Sequence, residues 1–412
     1  MVERPAWRPI LDGAAADAAW IAIRAVARAI GDGRGTRRRP SDLMVFWAYV
    51  AGAIEEDWTS ARYDEATTAL CESIESGSAW PGLFGGVAGA GWVLSHVSDG
   101  DDADEIASLI DGAIANQLEV ERWTGDYDLI GGLVGYGVYF LERITAGPAP
   151  IARQGLARVI DHLIATCETT PAGIAWFTRP ELVPTHQRDR SPAGYFNCGL
   201  AHGIPGVIAL LGRVAALPDA DPRVAATCAE ALRWMHARRL ATDPRGRFPA
   251  SCDRGLSSGG PARTAWCYGD PGVAIAAWGA SVRLGLPAVD WFELALDCTG
   301  RPVELCGVND PGLCHGAAGL AHIFNRFYQA SGDLRFRDTA RTWFERVLAM
   351  QRPDGLGGFA AWSAELGWLD AADLIEGAAG VALALLAAVQ PVEPGWDRMF
   401  QCDLPAMAGN ER

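Results

Sequence analysis

The sequence predicts an all-α fold, an α/α toroid in which inner apolar helices alternate with outer amphipathic ones. Three observations carry this. The element Gly-x-x-Gly followed by an apolar run occurs six times, at Gly86–Gly89, Gly132–Gly135, Gly203–Gly206, Gly269–Gly272, Gly316–Gly319 and Gly377–Gly380. Its starts lie 46, 71, 66, 47 and 61 residues apart, room for two helices and their connections each time. Between the glycine elements run stretches with apolar residues at helical spacing and a charged face. A helical solenoid would share this periodicity; closing the repeat into a ring buries the inner helices on all sides.

In chain order, Asp42 to Ile54 supplies a further helical unit without the glycine pattern. The segments after the glycines, such as Val207 to Leu211 and Val381 to Leu386, are apolar all round and read as inner helices. Ala103 to Leu118, Ile151 to Cys167, Pro222 to Leu240 and Leu334 to Met350 read as outer helices, the first capped by Asp101 and Asp102. The glycines open each inner helix, where small residues let neighbouring backbones approach. Residues 169–197 are rich in Pro and aromatics and lack a helical period. They are expected to form an inserted loop or hairpin over the active-site mouth, within a single domain spanning 1–412.

Composition limits the function classes. Half the residues are hydrophobic, enough for a large core. A net charge of −15 argues against nucleic acid as the partner. The basic run Arg34, Arg37, Arg38 and Arg39 has no interleaved aromatics and reads as a solvated loop. The chain lacks a signal-peptide pattern and a long apolar span, so a cytoplasmic location is expected. The ten cysteines are then thiols rather than disulfides. Cys71, Cys167, Cys228, Cys298 and Cys402 occur singly and read as small hydrophobes.

The chemistry concentrates at the repeats. Trp266-Cys267-Tyr268-Gly269 and Leu313-Cys314-His315-Gly316 place a cysteine two positions before the first glycine of two units, and one adds a histidine. If the units sit side by side, Cys267, Cys314 and His315 converge as ligands for Zn²⁺ with a fourth position open. Two buried cysteines and a core histidine would account for the same residues without a metal. A closed structural site would need a fourth ligand from Cys306, Cys198 or Cys252.

The residues just before the first glycine are Gly85, Gly131, His202, Tyr268, His315 and Glu376, and in a ring all would face one mouth. His202 is the acid/base candidate, or else a helix-start residue satisfied by backbone. Asp128 lies four positions before its glycine and could hold that imidazole or cap the inner helix; Asp373 occupies the matching place. Arg263 and Tyr268 flank Cys267 and could stabilise developing negative charge, or serve as an ordinary ion-pair and packing residue. His96, His162, His186, His236 and His322 do not cluster and read as surface or core histidines.

Gly199-Leu200-Ala201-His202-Gly203, Trp266-Cys267-Tyr268-Gly269 and Cys314-His315-Gly316 resemble the lanthionine synthetase C-like family. The length is similar to that of its free-standing lanthipeptide cyclases, with no dehydratase region expected ahead of the repeats. The resemblance implies an α/α toroid holding Zn²⁺, with Cys267, Cys314 and His315 matching the metal ligands. Asp128, His202, Arg263 and Tyr268 match active-site positions. It also implies a dehydrated precursor peptide as substrate, a separate dehydratase, and an exporter in a complex at the membrane periphery. Members that add glutathione or other thiols to dehydrated residues, or a zinc-stabilised binding scaffold, are the alternatives.

Overall fold

The computed structural model describes residues 6–77, 80–98 and 100–407. Fifteen α-helices dominate them: α1 Gly13–Gly31, α2 Pro40–Ala53, α3 Asp57–Glu75, α4 Val87–Val97, α5 Asp101–Gln117, α6 Leu133–Ala146, α7 Pro150–Thr166, α8 Ile204–Ala215, α9 Pro222–His236, α10 Asp270–Arg283, α11 Val289–Thr299, α12 Val303–Cys306, α13 Ala317–Ser331, α14 Leu334–Ala349 and α15 Ala378–Val389. The helices group into two compact units. One takes residues up to 77, 299–397 and 402 onward; the other takes 78–298 and 398–401.

In the first unit α2, α13 and α15 are the inner helices, backed by α1, α3 and α14. α15 is buried over almost its whole length, as its unbroken Ala/Leu/Val sequence requires. In the second unit α4, α6, α8 and α10 are inner, backed by α5, α7 and α9. Each inner helix predicted from a glycine element is present. The outer helix expected from Ala103 begins instead at Asp101, with Gly100 at the cap position. α9 and α14 are capped by Asp221 and Asp333, whose carboxylates accept the N–H of Arg223 and Arg335 at 2.8 and 2.9 Å.

The repeated glycines have a common physical cause. The chain before each inner helix that a Gly-x-x-Gly element opens curls back over the helix N-terminus. In the second unit the N–H groups of Leu133, Val134 and Gly135 donate to the carbonyls of Asp126, Tyr127 and Asp128. In the first unit those of Ala317, Ala318 and Gly319 donate to Asp310, Pro311 and Gly312. Backbone carbonyls thus satisfy first-turn donors that side chains usually cap. The curl brings a carbonyl against the helix. A Cβ on Gly319 would sit 1.9 Å from the Leu313 oxygen. Gly269 has φ +96° as well, and a Cβ there would meet the Arg263 oxygen at 1.9 Å.

The same curls are tied to one another within each unit. Leu83 N–H donates to Ile130 O, Leu129 N–H to Ala201 O, and Ala201 N–H to Cys267 O. In the first unit Leu313 and Cys314 N–H both donate to Ile375 O. Residues that precede the first glycine are therefore held in register on neighbouring curls.

Strands are few and short. Residues 168–175 form an antiparallel hairpin of β1 Glu168–Thr170 and β2 Gly173–Ala175, packed on α9. β3 Phe177–Thr178, β4 Tyr195–Asn197 and β5 Ser251–Cys252 make a three-stranded sheet in that order. In the first unit β6 Ala361–Ser363 pairs with β7 Gly367–Leu369. No helix among the described residues is long and apolar enough to cross a membrane.

Candidate metal centre and acid/base site

Three curls of the second unit bring Asp128, His202 and Tyr268 together. Asp128 stands on the curl before α6, His202 on that before α8, and Tyr268 on that before α10. One Asp128 oxygen, Oδ1, accepts the Gly131 N–H at 2.9 Å and so fixes its own loop. The other, Oδ2, lies 2.5 Å from His202 Nδ1. Asp128 therefore both holds the loop and holds the imidazole. The His202 side chain remains 46% exposed.

Burial alone would lower the His202 pKa. The hydrogen bond and charge of Asp128, helped by Cys267 and Asp126, outweigh it and raise the pKa above the usual histidine value. The imidazolium is thus held to higher pH than that of an ordinary histidine. Burial and the Asp128 charge also raise the Asp126 carboxyl to about 6.

The Tyr268 ring stacks near His202, with centroids 6.4 Å apart. Its hydroxyl accepts the Asn197 Nδ2–H at 3.2 Å, which leaves its own proton to donate elsewhere. Burial raises its pKa well above the usual phenol value, so it stays a neutral donor. Arg263 is brought into the same curl by its backbone, but its side chain is exposed.

One sulfur each from Cys267 and Cys314 and one ring nitrogen of His315 lie within 4.8 Å of one another. That spacing suits three ligands of one ion at metal–sulfur distances near ~2.3 Å. The donor set is soft and nitrogenous, which favours zinc over the oxygen-seeking Mg²⁺ and Ca²⁺. Cys267 is 6% exposed, and Cys314 and the His315 ring are half-buried.

Glu376, the counterpart of His202 in the first unit, is engaged differently. It pairs with Arg37, and Asp373 Oδ2 lies 3.7 Å from the same guanidinium. Arg37 takes φ +51°, unusual for a side chain of its size. Arg38 donates to the carbonyls of Ile30 and Arg34. The basic run expected to be a solvated loop is thus partly tied down by side-chain contacts. Asp42 is buried under it and accepts the Leu374 N–H at 3.2 Å. Burial first, then the neighbouring Asp373, raises the Asp42 carboxyl to about 7 against the lowering effect of Arg39.

Two residues escaped the sequence reading. Asn197 positions Tyr268, and Asp310 lies 3.4 Å from His315. Both stand six positions before the first glycine of their element, and this shared place was the signal available for them.

The family description "Lanthionine synthetase C-like protein" matches residues 44–401. The chain belongs to the lanthionine synthetase C-like family. Its structure is similar to that of a nisin cyclase, with a TM-score of 0.70 at 16% identity, over 88% of this chain and 90% of that one. The fold class is the all-α toroid class expected from the sequence.

Proposed function

We propose that this chain is a zinc-dependent lanthipeptide cyclase. It adds cysteine thiols of a dehydrated precursor peptide to dehydroalanine and dehydrobutyrine, closing lanthionine and methyllanthionine thioether rings. The observation that carries the reading is the Cys267, Cys314 and His315 ligand group, in a chain of this family whose His202 is held by Asp128.

In this reading Cys267, Cys314 and His315 would hold Zn²⁺. Zinc supplies thiol activation: a coordinated thiol is deprotonated, whereas a free one with pKa near ~8.5 is only a few per cent thiolate at neutral pH. The substrate sulfur bonds to the alkene β-carbon, and the electron pair moves onto the adjoining carbonyl as an enolate. His202 then delivers its Nε2 proton to the α-carbon and is reprotonated from solvent, while the thiol proton has passed to the medium. Asp128 keeps the Nδ1–H directed at itself throughout, so the Nε2 edge faces the substrate. Tyr268 donates to the enolate oxygen, and Arg263 supplies the nearby positive charge.

The reaction runs in the cytoplasm, where the peptide thiols stay reduced. A separate dehydratase supplies the alkenes, and an exporter at the membrane takes the product. The test is a synthetic peptide carrying one dehydroalanine and one cysteine, incubated with zinc-loaded protein. Alkylatable thiol should disappear without a change in mass, faster than in the peptide alone. Addition of glutathione in place of the internal thiol would move the function to intermolecular thiol transfer. No acceleration of either would leave a zinc-stabilised scaffold.

A further inference from the structure

Asp310 is only 3% exposed, and burying a carboxylate needs a reason. Its Oδ1 accepts the Gly312 N–H at 2.8 Å and clips the curl before α13. The clip alone does not call for a charge. Asn197, at the same place in its own curl, accepts the Gly199 N–H through Oδ1 at 2.9 Å. An amide therefore does the same structural task in a sister loop. What an amide oxygen in that clip cannot supply is a second acceptor. In Asp310 that second oxygen, Oδ2, lies 3.4 Å from Nε2 of His315.

The Asp128 pair repeats the design. There too one carboxylate oxygen clips a curl and the other faces a histidine ring. The two histidines among the residues immediately before the first glycine, His202 and His315, each have a carboxylate of their own. The glycines around Asp310 make room for this. A Cβ on Gly316 would sit 2.5 Å from Asp310 Oδ1, and one on Gly312 would sit 3.0 Å from it.

We propose that Asp310 is a positioning residue for the metal centre: it receives the Nε2–H of His315 and thereby turns Nδ1 of that ring toward the ion. The proposal rests on the zinc reading above. A carboxylate in this place fixes the tautomer, orients the ring and raises the basicity of the ligating nitrogen, and loss of such a partner typically weakens metal binding about 10- to 100-fold.

The test measures zinc affinity directly, by competition with a chromophoric chelator, on wild type, Asp310→Asn and Asp310→Ser. Both replacements keep an oxygen that can accept the Gly312 N–H, so the clip survives. The expected result is zinc binding about 10- to 100-fold weaker in both variants. The zinc-stripped proteins should melt where stripped wild type melts. The ligand-field absorption of the Co²⁺-substituted forms should shift, because the imidazole donor changes. Wild-type affinity in both variants with an unchanged Co²⁺ spectrum overturns the assignment. So does a loss of affinity matched by an equal loss of stability in the stripped proteins, which would make Asp310 a loop residue only. Wild type that takes up no zinc fails the zinc reading itself, and Asp310 falls with it.

Discussion

Replacing Asp128 by Asn separates its two tasks. The amide oxygen can still accept the Gly131 N–H, so the curl before α6 should keep its shape. The pair with His202 is lost as an ionic contact, because an amide NH₂ would face Nδ1 and favour the tautomer with the proton on Nε2. That tautomer is neutral and no longer the donor that the reaction needs. A hydrogen bond to a charged partner contributes about 1.5–3 kcal/mol, so ring closure should slow about 10- to 100-fold. Stability should change by less than about 1 kcal/mol, since the His202 side of the pair is close to half exposed. The alkaline limb of the pH–rate profile should also move to lower pH. Asp128 is what raises the His202 pKa against burial, and without it the imidazolium is lost earlier as pH rises. Asp373→Asn is the control. Its Oδ1 accepts the N–H groups of Glu376 and Gly377, and the ion pair near it is with Arg37 rather than a histidine. Its cyclisation rate should stay within about twofold of wild type. Thiol loss followed by alkylation and mass spectrometry gives the rates, and thermal melts give the stabilities. Equal rates in the two variants would refute the role assigned to Asp128.

Three further outcomes follow from named groups. His202→Asn should fold and keep its zinc but cyclise about 10²-fold or more slowly; a wild-type rate would remove His202 from the mechanism. Asp42, at about 7 in the folded chain, keeps its proton where the unfolded chain has lost it, so this group costs stability as pH climbs from about 4 through 7. Asp42→Asn should therefore raise stability at pH 8 relative to wild type and change it little at pH 4, as denaturant titration at both pH values would show; an equal effect at both would contradict this. Asp397, buried with Arg326 and His322 and lowered to about 2, contributes stability above pH 4 that fades as pH falls toward 2. Asp397→Asn should cost about 3–5 kcal/mol at neutral pH, because Arg326 would stay buried without its main partner; a loss below 1 kcal/mol by denaturant titration would refute this.

Much of the fold was legible because glycine spacing reports backbone contact directly. Wherever a curl carbonyl presses on a helix start, as Leu313 O does on Gly319, no other residue fits, and the pattern recurs in the sequence. His202 with Asp128 was legible for the same reason: repeat position put both at the mouths of adjacent inner helices. What stayed hidden depends on partners far apart in the chain. Arg37 reads as one member of a basic run, yet Glu376 engages it across more than three hundred residues. His322 and Asp397 form one buried ion network with Arg326, and no local period announces it. The strands were hidden by length, since two or three residues cannot display alternation. Asn197 and Asp310 were visible only as a shared offset from a glycine, and their use of the second side-chain atom required coordinates.

The central claim is that zinc held by Cys267, Cys314 and His315 activates the peptide thiol. It is tested most directly by titrating zinc into metal-stripped protein and following thiol loss from the synthetic dehydroalanine–cysteine peptide. The account predicts a rate that rises in proportion to added zinc and breaks at one equivalent per chain. A full rate in the stripped protein, or none at any zinc concentration, would contradict it.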